Sequence, residues 1–235
     1  MRFQVSDIAA ILFDKDGTLF DFDATWGAWA RGVIFDLAAG DVALAGRLAQ
    51  ALGYDLAAGR FECHSPVIAG TVAEVAERIV AHLPGRSVSA LVRDLDAAAC
   101  RAPQVAAVDL ECCLGGLRGA GLRLGVATND SESSARAQLQ REGISRFFDF
   151  IAGYDSGFGG KPAPGQLLAF AAHLGVAPAK VVMVGDSLHD MAAARAAGMR
   201  AVAVLTGPAS AEVLAPAADV VLPTIDGLAG WLAGL

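Results

Sequence analysis

Six short apolar runs, rich in β-branched residues and each ended by a polar or glycine-containing turn, set the strongest limit on what this chain can fold into. They span 8–13, 122–127, 150–152, 181–184, 201–205 and 220–222. Runs that are apolar at nearly every position read as strands buried on both faces. Helical patterns at 131–142, 164–174, 188–197 and 210–214 separate the later ones. Strands alternating with helices imply right-handed crossovers and a parallel sheet covered on both sides. From residue 122 onward the chain therefore reads as a doubly wound, Rossmann-like α/β fold.

The first run stands apart from the others. Between 20 and 108 there is no strand-like run, only helical patterns. In 71–83, Val72, Val75, Ala76, Ile79, Val80 and Leu83 form one stripe, while Glu74, Glu77, Arg78 and His82 fall opposite. That is an amphipathic helix. An insertion of roughly 90 residues is large enough for a small domain. The expected organisation is an α/β core at 1–19 and 109–235, interrupted by an all-helical cap domain at 20–108. A chain of 235 residues can bury a core of this kind.

Composition excludes several functions. No stretch approaches the ~20 consecutive apolar residues of a spanning helix. The first apolar run lacks a small-residue cleavage site and leads straight into acids, so it reads as a buried strand, not a signal peptide. A net charge of −7, a pI near 5.0 and the lack of any basic cluster argue against a nucleic-acid partner. Cys63, Cys100, Cys112 and Cys113 have no metal-ligand spacing and read as small apolar residues in a reducing cytoplasm. A cytoplasmic protein without a membrane partner is expected.

The residues able to do chemistry follow the buried runs. Asp14 closes the first, Thr128 and Asn129 the second, and Asp186 the run at 181–184. In an open parallel sheet the carboxyl ends share one edge, and ligands bind in the crevice there. Clustered carboxylates repel one another and are costly to bury unpaired. A divalent cation resolves both problems, and all-oxygen ligands favour magnesium.

At this point the chain closely resembles the haloacid dehalogenase-like hydrolase superfamily, in its phosphatase branch. The residues that carry the resemblance are Asp14-Lys15-Asp16-Gly17-Thr18-Leu19, then Thr128-Asn129, then Lys161 in Gly-Gly-Lys-Pro, then Gly185-Asp186-Ser187 with Asp190. All four motifs occur in order, and the insertion matches the family's helical cap. Among named groups, the phosphoglycolate-phosphatase-like one is nearest.

The resemblance implies magnesium-dependent hydrolysis of a small phosphorylated metabolite. Asp14 would be the nucleophile, since an ionised carboxylate can attack phosphorus and split hydrolysis into two displacements. Asp16 would be the acid and then the base. Gly17 permits the sharp exit from the strand. Thr18 would hold a carboxylate or phosphate in place. Thr128 and Asn129 would offer hydroxyl and backbone N–H donors to the phosphoryl oxygens, and Lys161 a positive charge. Asp14, Asp186 and the Asp16 carbonyl would hold magnesium. Asp190 would support these ligands, although Ser187-x-x-Asp190 is also a helix-capping pattern.

Related chemistries are separated by single residues. The dehalogenases that resemble this chain carry an aromatic where Asp16 stands and use no metal. The phosphonate-cleaving members need a cap lysine, and 20–108 contains none; the only lysines are Lys15, Lys161 and Lys180. Sugar phosphomutases keep both acids and the metal, so that alternative stays open. A retired binding module would be expected to lose Asp14 or Asp186, and neither is lost. Lys15 replaces the apolar residue common in the nearest group and reads as a solvated or cap-facing lysine. In the insertion, Trp26 and Trp29 read first as packing. Arg60 and His64 are the candidate contacts to an anionic leaving group, and Arg101 is a candidate for lining the pocket. His189 is expected near the site without acting in it.

Overall fold

The structure, a computed structural model, describes residues 8–62, 65–68 and 70–235. Among the described residues the first element is β1 (Ala10–Phe13), followed by α1 (Phe22–Ala38), α2 (Val42–Leu52), β2 (Tyr54–Asp55), β3 (Arg60–Phe61), α3 (Val72–Val80) and α4 (Val88–Ala99). The chain returns through α5 (Leu110–Gly119), β4 (Arg123–Ala127), α6 (Glu132–Arg141), β5 (Phe150–Ala152), α7 (Gly165–Leu174), β6 (Val181–Gly185) and α8 (Leu188–Ala197). It ends with β7 (Arg200–Val204), α9 (Ala211–Leu214), β8 (Val220–Leu222) and α10 (Leu228–Ala233).

Six strands form one parallel sheet in the order β5-β4-β1-β6-β7-β8. Alternate residues of each central strand point to opposite faces. Ile11, Phe13, Val182, Val184, Val202 and Val204 join one apolar cluster, which α5, α6 and α10 cover with Leu114, Leu117, Leu139 and Leu228. Ala10, Leu12, Val181, Met183, Ala201 and Ala203 join another, which α7 and α8 cover with Leu167, Phe170 and Met191. The doubly wound architecture expected from the sequence is present. Burial on both faces explains why these strands are apolar throughout.

The topology decides where ligands bind. The chain runs from β1 to β4 and β5 on one side, then crosses through α7 to β6 on the other side of β1. Chains leaving β4, β1 and β6 thus emerge from three neighbouring strands, and the crevice at such a reversal is where open α/β sheets bind ligands.

Residues 22–102 gather a separate apolar cluster, with Trp26, Ile34, Leu48, Leu52, Ile79 and Leu91 at its centre. Local signals start each of its helices. Asp21 accepts the Ala24 amide at the head of α1, and Thr71 and Glu74 form a reciprocal capping box at the head of α3. One feature departs from the expected all-helical insertion. β2 and β3 pair as an antiparallel hairpin of two residues each, too short for any periodicity to announce it.

Two connectors join this unit to the sheet, and they hold each other. The Asp21 amide donates to the Val105 carbonyl at 2.8 Å, and the Ala107 amide to the Leu19 carbonyl at 3.0 Å. From the sheet side, α6 grips the end of α4. Gln138 Nε2 donates to the Ala99 carbonyl at 2.8 Å, and Arg141 donates to the carbonyls of Cys100 and Ala102. The helical unit is fixed over the strand-end edge.

Candidate active site

Asp14 is the first residue beyond β1, and its amide donates to the Val184 carbonyl of the neighbouring strand at 2.8 Å. That bond anchors the nucleophile candidate to the sheet. Lys161 reaches it from the loop before α7: Nζ lies 2.8 Å from Asp14 Oδ1 and 2.6 Å from Asp190 Oδ1. Lys161 itself is clamped through its backbone. The Asn129 carboxamide donates from Nδ2 to the Lys161 carbonyl at 2.8 Å, and its Oδ1 accepts the Lys161 amide at 2.7 Å. The side chain after β4 thus sets the position of the cation facing β1. Gln166 reinforces the same loop by donating to the carbonyls of Thr128 and Gly159.

Asp186 follows β6 and is buried. Glycines leave the space for its carboxylate. A Cβ at Gly17 would lie 2.3 Å from Asp186 Oδ2, and a Cβ at Gly207 only 1.7 Å from it. Gly17 also has φ +76°, which disfavours any other residue. Thr206 Oγ1 donates to the Gly17 carbonyl at 2.6 Å, tying the loop after β7 to the turn after β1. Asp190 is equally hemmed in, since a Cβ at Gly185 would sit 2.3 Å from its Cγ. The helix-capping reading of Asp190 is realised, and the same carboxylate also meets Lys161. One oxygen takes the Lys161 ammonium, while the other accepts the amide and hydroxyl of Ser187 at the head of α8.

Oxygens of Asp14, Asp186 and Asp190 lie within 4.8 Å of one another, all three residues buried. Lys161 is the one cation that touches this group among the described residues. Burial, opposed by Lys161 and reinforced by Asp190 and Asp16, pushes the Asp14 carboxyl up to about 7. Burial and the neighbouring Asp14 and Asp190 raise Asp186 well above the usual carboxylate range. An all-oxygen, glycine-cradled and charge-rich donor set of this kind fits a hard divalent cation.

Lys15 takes the cap-facing one of the two placements expected for it. It is not solvated but fully buried. Its Nζ lies 2.7 Å from Asp16 Oδ1, 2.6 Å from Asp16 Oδ2 and 3.5 Å from Asp130 Oδ2, and 5.4 Å over the Trp26 ring. Burial works against its charge, but Asp16 and Asp130 outweigh that effect and raise its pKa. The lysine therefore fixes the Asp16 carboxyl and ties the turn after β1 to the cap helix α1. Asp130, beside Thr128-Asn129, is the partner that the sequence reading missed. Burial, opposed by Lys15, pushes it up to about 6. The polar run directly after β4, from Thr128 to Ser134, was the available signal.

Asp14, Asp16 and Lys161 open onto a crevice between the sheet and the helical unit. Asp14, Asp16, Thr128, Asn129 and Lys161 line its sheet side, with Asp130, Ser187 and His189. Trp26 and Trp29 do two things at once: they pack edge to face at 5.1 Å and form the wall on the cap side. The Thr128 hydroxyl accepts the Asp130 amide, leaving its proton for a ligand. Thr18 is buried, with its hydroxyl unpartnered, and is not among the lining residues. Arg60 is exposed on β3 opposite Asp55, and Arg101 is exposed beyond α4; neither lines the crevice. His64 lies outside the described residues.

A family model described as haloacid dehalogenase-like hydrolase matches residues 8–198, which include every one of these acids and Lys161. The chain belongs to the haloacid dehalogenase-like hydrolases. Among curated relatives of this family, it is 38% identical over 119 residues to phosphoglycolate phosphatase from Rhodospirillum rubrum, covering 51% of this chain and 49% of that protein. The chain spans about half the length, or less, of the curated relatives it matches. Solved haloacid dehalogenase-like folds superpose over nearly the whole chain. CbbY from Rhodobacter sphaeroides, solved in complex with phosphate, gives a TM-score of 0.70 at 22% identity over 94% of this chain and 96% of that one. The L-2-haloacid dehalogenase from Xanthobacter autotrophicus gives 0.64 at 21% over 97% and 99%. One fold thus carries more than one chemistry, and the reaction has to be argued from the side chains.

Proposed function

We propose that the protein is a magnesium-dependent phosphatase that hydrolyses a small phosphate monoester through a phosphorylated Asp14. The observation that carries this reading is the meeting of Asp14 with Lys161 at 2.8 Å, beside buried Asp186 and Asp190, with a second acid, Asp16, in the same crevice. The relative named for phosphoglycolate supports the reaction class.

Asp14 attacks phosphorus, forming an Asp14 oxygen–phosphorus bond as the ester P–O bond breaks. Asp16 gives its proton to the departing oxygen. Water then attacks the phosphorus of the acyl phosphate, Asp16 takes up the proton, and inorganic phosphate leaves with Asp14 restored. Lys161 and the Thr128 hydroxyl hold phosphoryl oxygens, and their fixed placement stabilises the charge that builds there. Lys15 positions Asp16 for both transfers. Magnesium, held by Asp14, Asp186 and the Asp16 carbonyl with Asp190 behind them, would offset the charge of phosphate and carboxylates. The segment 20–108 serves as a lid that excludes water and bulky substrates. No described helix is long and apolar enough to cross a membrane.

The test is turnover of p-nitrophenyl phosphate by the purified protein. Magnesium should support it, EDTA should stop it, and calcium should inhibit, because its looser and higher coordination disturbs in-line attack. Full activity in EDTA would overturn the proposal.

A further inference from the structure

The cap wall of the crevice differs in kind from the sheet wall. Phe22, Trp26, Trp29, Ile68, Val72 and Val75 line it, and among the described residues every cap side chain that faces the crevice is apolar. Among the described residues, a leaving group that ends in a carboxylate would meet no cation there. The two lysines at this edge are already paired, Lys161 with Asp14 and Asp190, and Lys15 with Asp16 and Asp130. The neighbouring opening, next to Gly70 and His189, carries Glu74 and Glu77 against Arg78 and Lys161, so it offers no cationic excess. An anion held against apolar walls loses its hydration without compensation.

The same wall suits a flat apolar group. Trp26 and Trp29 stand edge to face at 5.1 Å and 84°, so a ring entering between sheet and cap meets aromatic surface in either stacked or edge-on contact. Trp29 adds one polar feature. Its Nε1 is buried and has no hydrogen-bond partner, a condition that an acceptor on a ligand relieves.

Resting on the phosphatase reading above, we propose that the substrate is a phosphate monoester of a neutral, aromatic alcohol or phenol, with the ring seated on Trp26 and Trp29, rather than an ester of an anionic hydroxy acid. The reaction is the same; the preference lies in what departs with the ester oxygen.

The test compares benzyl phosphate, ethyl phosphate and phosphoglycolate with magnesium present, because all three release an alkyl oxygen and differ mainly in what that oxygen carries. Benzyl phosphate should exceed phosphoglycolate in kcat/KM by on the order of 10²-fold, the discrimination that a pocket of matched polarity supplies. Trp26→Ala should collapse the benzyl-to-ethyl ratio, and Ile68→Lys, at a half-buried loop position that tolerates a long side chain, should raise phosphoglycolate relative to benzyl phosphate. Phosphoglycolate equal to or better than benzyl phosphate would overturn this inference while leaving the phosphatase reading intact. Failure of all three esters, and of p-nitrophenyl phosphate, would overturn both.

Discussion

Replacing Asp14 by asparagine removes a charge from a site that already holds too many of one sign. In the cation-free protein the Asp14 carboxyl titrates near 7 instead of 3.8, a value that already includes the help of Lys161. Burial and the neighbouring acids therefore outweigh the ion pair at 2.8 Å. A group whose folded pKa is raised contributes its stability below the unfolded value, near 4, and loses it as pH rises through about 7. At about pH 8 the ionised carboxylate costs on the order of 4 kcal/mol relative to a neutral isostere. Asparagine keeps an oxygen that can accept from Lys161 and escapes most of that cost. At ~2–4 °C per kcal/mol for a chain of this size, Asp14→Asn should melt roughly 5–15 °C above wild type in EDTA at about pH 8. The gap should close at about pH 4, where the wild-type carboxyl is protonated. Magnesium should stabilise wild type more than the variant, by mass action on the native state. Thermal melts by circular dichroism at the two pH values, with EDTA or magnesium, measure all four quantities. A variant that melts below wild type at the higher pH in EDTA, or a gap that does not change with pH, would refute the reasoning.

Further expectations follow from single contacts. Lys161→Ala should lower kcat by on the order of 10²-fold or more, and Lys161→Arg should rescue it poorly because a planar fork cannot replace an ammonium shared by Asp14 and Asp190; steady-state kinetics at saturating magnesium decide this. Gly207→Ala brings a methyl into the Asp186 carboxylate, so the magnesium concentration for half-maximal activity should rise at least ~10-fold. Lys15→Met leaves Asp16 and Asp130 without their shared cation, and should cost ~3–5 kcal/mol of stability at about pH 8. That cost should shrink in acid, as Asp130, already pushed up to about 6, becomes protonated.

The sheet was legible because burial on both faces makes each strand apolar throughout, as in 181–184, and because glycine or polar turns end every run. The acids were legible for a topological reason. A parallel sheet brings the ends of β1, β4 and β6 together whatever separates them in sequence. What escaped the sequence depends on depth and on contacts between distant loops. Strand alternation says which side Lys15 faces, not that Asp130 and Trp26 enclose it. Gly207 has ordinary surroundings in sequence, and its purpose appears only where the loop after β7 meets Asp186. Asn129 was expected near phosphate through its backbone, whereas its side chain holds the Lys161 loop. Arg60 looked suited to an anion, yet its place on the exposed hairpin keeps it off the crevice.

The central claim, that Asp14 carries the phosphoryl group in turn with water, is tested most directly by trapping the intermediate. The protein is mixed with a radiolabelled phosphate monoester and magnesium, quenched in acid within a turnover, reduced with borohydride and mapped by mass spectrometry. An acyl phosphate at Asp14 should appear as homoserine at that position, with label lost on reduction, and Asp14→Asn should show neither label nor turnover. Label on another residue, or turnover of the Asn variant at the wild-type rate, would contradict the account.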